Sequence, residues 1–162
     1  YTNNIYEKNI CEFAKMVSNP IEYYVENWIN KNTKLRCVRC CERDSEIGID
    51  LLTNNTTKPI KIQVKFRTRR LYINPSRRPG KKKILRSYRS NTGYHKDEFD
   101  VIVLICPKGP DYSKMDNYDI VAIPTSEIID KNNGDYCLKE IPRTTYNNFK
   151  GRSIEILNNF YQ

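Results

Sequence analysis

Gly48–Arg70 reads GIDLLTNNTTKPIKIQVKFRTRR, and how this stretch folds decides how the rest of the chain is read. Two apolar runs, Ile47–Leu52 and Ile60–Phe66, flank a polar segment around Asn54-Asn55. Short apolar runs separated by Asn, Thr and Pro predict two β-strands, over 46–53 and 60–68, joined as a hairpin. Side chains two apart in a strand share a face. Ile62 and Val64 are therefore expected in the core, with Gln63 and Lys65 together on the opposite face. Paired across the hairpin, Asp50 falls beside Gln63.

Working outward, Ile10, Phe13, Ala14 and Val17 follow helical spacing and predict a helix over 4–17. Asn19-Pro20 stops it and opens a second helix with the stripe Ile21, Tyr24, Val25, Trp28 and Ile29. Residues 34–41 read as a strand. The near-continuous apolar run Phe99–Cys106 predicts a strand buried on both faces. Tyr118–Ile123 reads as a further strand, and Pro124-Thr125-Ser126-Glu127 as the start of a helix running into Ile128 and Ile129. Residues 69–98 hold Asn74-Pro75, Pro79-Gly80 and Asn91-Thr92-Gly93 and read mostly as loop, with a short helix near 84–89. A helix over 144–160, interrupted near Gly151, ends the chain. This order predicts an α/β domain with a mixed central β-sheet flanked by helices. So many strands argue against a zinc-finger or helix-turn-helix fold.

The 162 residues are the size of one domain, and 38% apolar content supplies one core. We expect a single domain over 1–162 with a basic insertion at about 67–96. The chain begins with Tyr1 and not Met, which raises the expectation of further domains outside it. No apolar run approaches the ~20 residues that cross a bilayer, so no membrane role is expected. Six cysteines without a secretion signal read as reduced thiols of an intracellular protein, in cytoplasm, nucleus or a viral compartment. Cys37 and Cys40 have the spacing of half a zinc site, but no second pair follows.

Net charge is +9, and its placement is uneven. Residues 51–96 carry fourteen Lys or Arg and no acid, so the remainder of the chain is net negative. Such a block is the footprint of a polyanion. Arg67, Arg69, Arg70, Arg77, Arg78, Lys81, Lys82, Lys83, Arg86 and Arg89 are the candidate nucleic-acid contacts. Tyr72, Tyr88 and Tyr94 interleave with them and are candidates for stacking on bases. His95, the lone histidine, lies in a polar stretch and reads as a surface residue.

The hairpin constellation has a chemistry of its own. A hard cation such as Mg²⁺, for which Mn²⁺ can substitute, takes oxygen ligands and keeps several waters. The Asp50 carboxylate, the Gln63 side-chain oxygen and the Val64 carbonyl are candidate ligands. Lys65 is placed to orient the attacking water or to stabilise charge on a phosphate.

Asp50 followed by Gln63-Val64-Lys65 on the next strand resembles the PD-(D/E)XK nuclease superfamily. Gly48-Ile49-Asp50 and Ile62-Gln63-Val64-Lys65 resemble in particular the Mrr-like restriction endonucleases, in which Gln often replaces the second acid. The resemblance covers residues from about 4 to 129. It implies a restriction-endonuclease-like core and Mg²⁺-dependent hydrolysis of DNA phosphodiesters. It also implies a homodimer for members that cut both strands. The family often places a glutamate on the first helix facing the metal. Glu7 lies at the edge of the apolar face of helix 4–17 and is the better candidate. Glu12 points away, and Glu46 is a third candidate.

Two departures stand out: Ile49 replaces the Pro of the signature, and Gln63 is neutral. The competing expectation is therefore a non-catalytic nucleic-acid-binding module of the same fold.

Overall fold

The computed structural model describes residues 20–40, 49–67, 94–108 and 117–162. The expected helix over 4–17 with Glu7 and Glu12, Glu46, the stretch 84–89, and the arginines and lysines from Arg69 to Arg89 lie outside these residues.

The first described element is a helix over 20–32, here α1. Ile21, Val25 and Ile29 recur every four residues and are buried, with Trp28 packed against them. Its end is tied off by side chains. Thr33 Oγ1 donates to Ile29 O (2.9 Å) and accepts the Leu35 N–H (3.1 Å), while Asn32 Nδ2 donates to Trp28 O (2.8 Å). Then follow β1 (Cys37–Arg39), β2 (Leu51–Thr53) and β3 (Lys61–Phe66). The strands β4 (Val101–Pro107) and β5 (Tyr118–Pro124) complete the sheet.

The five strands lie in the order β1-β2-β3-β4-β5. The pair β3/β4 is parallel and the other neighbours are antiparallel, so the sheet is mixed. A parallel pair needs a long crossover, and residues 67–100 provide it.

Both faces of the sheet are covered, and strand alternation sorts the residues. On one face Ile62, Val64, Val101, Val103, Ile105 and Ala122 meet α1 and the C-terminal helix. On the other, Ile102, Leu104, Cys106, Val121 and Ile123 meet Tyr94, Phe99, Ile128 and Cys137. All six residues from Val101 to Cys106 are buried, as a strand covered on both faces must be. Each such side chain contributes about 1.5–3 kcal/mol by leaving water.

The edges are closed as well. Asn30 grips Cys37 on β1, accepting its N–H (2.7 Å) and donating to its carbonyl (3.0 Å). Ser153 Oγ accepts the Ala122 N–H of β5 (3.2 Å) and donates to Ile120 O.

The hairpin forms with its loop where expected: residues 54–60 are knitted by Thr53 Oγ1 to Thr56 Oγ1 (2.7 Å) and by the Ile60 N–H to Thr53 Oγ1 (2.7 Å). Three expectations change in the structure. The helix expected from Pro124 stops after a single 3-10 turn, Thr125–Glu127. Thr125 Oγ1 donates to Phe99 O (2.7 Å) instead of capping, and the β-branched Ile128 and Ile129 turn the chain into β6 (Ile129–Asp130). β6 pairs with β7 (Asn133–Cys137), a hairpin that the residue pattern did not lead us to expect.

The chain then ends in α2 (Arg143–Phe149) and α3 (Ser153–Asn158). The break between them falls at Gly151, whose φ of 80° suits glycine. Finally, Tyr94 is 2% exposed and stands edge-on to Phe99 with ring centroids 5.3 Å apart, so it is a core residue and not a base-stacking one.

Candidate functional site

The β2/β3 ladder ends at the pair Leu51↔Ile62, and Asp50 sits in a bend one step beyond it. The Asp50 main chain stays bonded on both sides, the N–H donating to Ile62 O and the carbonyl accepting the Cys40 N–H (3.0 Å each), and its carboxylate turns onto β3. Its Oδ2 accepts the Val64 N–H at 2.8 Å and the Gln63 Nε2 at 2.8 Å. The expected neighbourhood of Asp50 and Gln63 is therefore present, but the amide nitrogen is the atom turned to the carboxylate, not the oxygen. Gln63 Oε1 is left buried with no hydrogen-bond partner. Such an orphaned acceptor costs about 1–3 kcal/mol. A half-turn of the amide exchanges the two atoms in place. The Val64 carbonyl lies 3.5 Å from the same amide nitrogen.

A second acid, which the sequence pattern had not singled out, joins from α1. The Glu22 carboxyl reaches Asp50, and Arg39 Nη2 lies 3.0 Å from Glu22 Oε2. Burial pushes the Glu22 carboxyl above the ordinary carboxylate range and the Asp50 charge adds to the rise, while Arg39 pulls it back. A signal for Glu22 was available. It lies three residues before Val25 and seven before Ile29, hence on the side of α1 that faces the sheet.

Lys65 shares the Gln63 face, in register with Leu104, as alternation required. Its ammonium lies over the Tyr94 ring, 5.6 Å from the centroid. Arg67, next on that face, is half-buried, and burial lowers its pKa. Its Nη1 donates to Phe66 O (2.6 Å). His95 is half-exposed: its Nδ1 accepts the Asp97 N–H (3.2 Å) and its ring meets Tyr136 edge-on at 5.4 Å.

The donors around Asp50 are all hard oxygens: two carboxyls, an amide oxygen with no partner, and a main-chain carbonyl. That set suits Mg²⁺ or Mn²⁺ and no softer ion. Among the described residues no three His, Cys, Asp or Glu side chains gather as a metal-holding group, so the amide and the carbonyl would have to complete the shell. The half zinc site expected at Cys37 and Cys40 is not completed among the described residues, and Cys37 is buried, with its thiol pushed up to about 12 by burial.

A cleft of about 390 Å³ lies elsewhere, floored by Phe99, Ile129 and Phe160 and rimmed by Lys96, Asp97 and Ser126. It shares no residue with the acid site. No helix among the described residues is long and apolar enough to cross a membrane.

No family model, curated protein or solved structure is similar to the chain.

Proposed function

We propose that the chain is a divalent-metal-dependent endonuclease acting on DNA, built on a restriction-endonuclease-like core of the PD-(D/E)XK kind. The observation that carries this reading is the Asp50 carboxylate held at 2.8 Å by both Gln63 and Val64 of the neighbouring strand, with Glu22 arriving from the preceding helix. The order α1, three antiparallel strands, a crossover and a parallel fourth strand supports the same reading.

Asp50, Glu22, Gln63 Oε1 and the Val64 carbonyl would hold the cation. A Mg²⁺ ion bound there would acidify its water and offset charge on the phosphate. Lys65 has a long enough stem to leave the Tyr94 ring, and its role is to donate to a non-bridging phosphate oxygen or to orient the nucleophile. Asp50 also keeps β3 in place at the site by accepting the Val64 N–H. The product ends follow the family pattern, a 5′-phosphate and a 3′-hydroxyl.

The basic segment that leaves β3 at Arg67 brings DNA to the site through its phosphates. Each phosphate contact adds about −0.9 to the slope of log K against log salt on duplex DNA. Replacing Lys81, Lys82 and Lys83 by Ala should flatten that slope by about 0.9 for every phosphate left without its lysine.

The test is incubation with supercoiled plasmid in Mg²⁺, Mn²⁺ or EDTA, beside Asp50→Ala and Lys65→Ala. Nicking or linearisation by the parent, abolished in EDTA and in both variants, supports the nuclease. Salt-sensitive gel shifts without cleavage in either metal favour the non-catalytic binding module, the reading that the neutral Gln63 keeps in play.

A further inference from the structure

Arg39 has no part in the chemistry just described, yet three contacts fix it against the site. It lies on β1 in register with Leu51, the residue after Asp50. Its Nη2 is 3.0 Å from Glu22 Oε2, and its guanidinium carbon sits 4.7 Å above the Tyr23 ring. The neighbouring Cys40 N–H donates to the Asp50 carbonyl at 3.0 Å, which ties the end of β1 to the acid-bearing bend.

Glu22 and Asp50 are two acids in contact, and like charges at such short range are unfavourable unless a cation offsets them. Arg39 supplies that cation in the metal-free protein. A divalent ion entering the site needs the same Glu22 carboxylate, so the two cations compete for it. Tyr23 is 55% exposed, which leaves the guanidinium a resting place on the ring when Glu22 is withdrawn.

We propose that Arg39 is an internal counter-ion of the Glu22–Asp50 pair, a positioning residue that holds Glu22 in the metal-free protein and yields it when a divalent cation binds. This inference rests on the metal-site reading. It predicts that the chain trades affinity for Mg²⁺ against stability without metal, through one side chain.

The experiment is thermal unfolding of the purified chain in EDTA and across a Mn²⁺ titration. The proteins are the parent, Arg39→Met, Arg39→Lys, Glu22→Gln/Arg39→Met and Asp50→Ala. Arg39→Met is expected to unfold at lower temperature than the parent in EDTA, and the double variant to recover part of the loss. With Mn²⁺, Arg39→Met should reach its half-maximal stabilisation at about fivefold lower metal, the worth of one partly exposed ion pair. Arg39→Lys keeps the charge but loses the planar guanidinium that rests on Tyr23, so it holds Glu22 less firmly and its midpoint should fall between those of Arg39→Met and the parent. It carries the comparison should Arg39→Met not fold.

If Arg39→Met, or Arg39→Lys in its place, needs as much Mn²⁺ as the parent or more, while Asp50→Ala no longer responds, the counter-ion proposal is wrong and the metal site stands. If neither the parent nor either Arg39 variant responds to Mn²⁺, the metal-site reading fails and the proposal goes with it.

Discussion

Two aspartates flank β3 and make the same hydrogen bond, yet only one of them looks like a site. Asp50, on the β2 side, accepts the Val64 N–H at 2.8 Å; Asp100, on the β4 side, accepts the Lys61 N–H at 2.8 Å. Asp100 is then complete. Its N–H donates to Lys61 O (2.8 Å), its carbonyl accepts the Thr125 N–H (3.0 Å), and the Lys61 ammonium donates to Asp97 O nearby. These bonds clip β4 to the start of β3. Asp50 has a second acid pressed against it, an arginine holding that acid, and a buried amide oxygen with nothing to accept from. A carboxylate that receives a strand N–H is therefore weak evidence of function. The uncompensated polarity around Asp50 is the stronger evidence, because folding alone gives no reason to keep it.

That contrast can be broken by removing each aspartate in turn. Asp50→Ala should lower plasmid cleavage by about a hundredfold or more, since it removes the central ligand of the site. The same change should cost less stability than Asp100→Ala, because it also relieves Glu22 of a like-charged neighbour. Asp100→Ala leaves the Lys61 N–H without its acceptor and should cost about 1–3 kcal/mol, read by urea unfolding, while the stabilisation by Mn²⁺ persists. A reversal of these two outcomes would put the site at the other end of β3.

A smaller effect is expected at Thr125→Val, which removes the buried bond to Phe99 O and should cost about 1 kcal/mol without changing DNA binding. The smallest concerns pH. The Glu22 carboxyl is raised in the folded chain, so the folded protein holds that proton more tightly than the unfolded one. Its contribution is fully present below the ordinary Glu pKa and is lost as pH rises through the higher folded value. Unfolding of the metal-free protein across that range should show the decline, and Glu22→Gln should flatten it. A parent curve that climbs through the same range would show that Arg39 outweighs both burial and Asp50.

Much of the frame was legible from periodicity. Ile62 and Val64 face the core because alternation in β3 leaves them nowhere else to go, and Asp50 meets Gln63 because the hairpin register follows from the same alternation. The run Phe99–Cys106 announced a strand covered on both faces, and the stripe Ile21, Val25 and Ile29 announced α1. Gly151 marked the break between the last two helices.

Other features had no such signal. Whether Pro124-Thr125-Ser126-Glu127 starts a helix depends on Thr125, whose hydroxyl is taken by Phe99 O, a partner 26 residues away. Tyr94 lies in a polar, basic neighbourhood of the chain, and only its docking beside Phe99 shows that it is core.

The order of residues was enough to say which side chains of β3 look inward, which aspartate pairs with Gln63, and where positive charge gathers. These depend on spacing along one strand or on composition. Packing in three dimensions was needed to make Glu22 the second acid, to set Arg39 against it, and to turn the Gln63 amide nitrogen to Asp50. Each of those is a contact between elements far apart in the chain, set by how α1, β1 and the bend before β2 come together. Charge and hydrogen bonding respond to that packing through distance and burial, and neither is written in the spacing of residues along the chain.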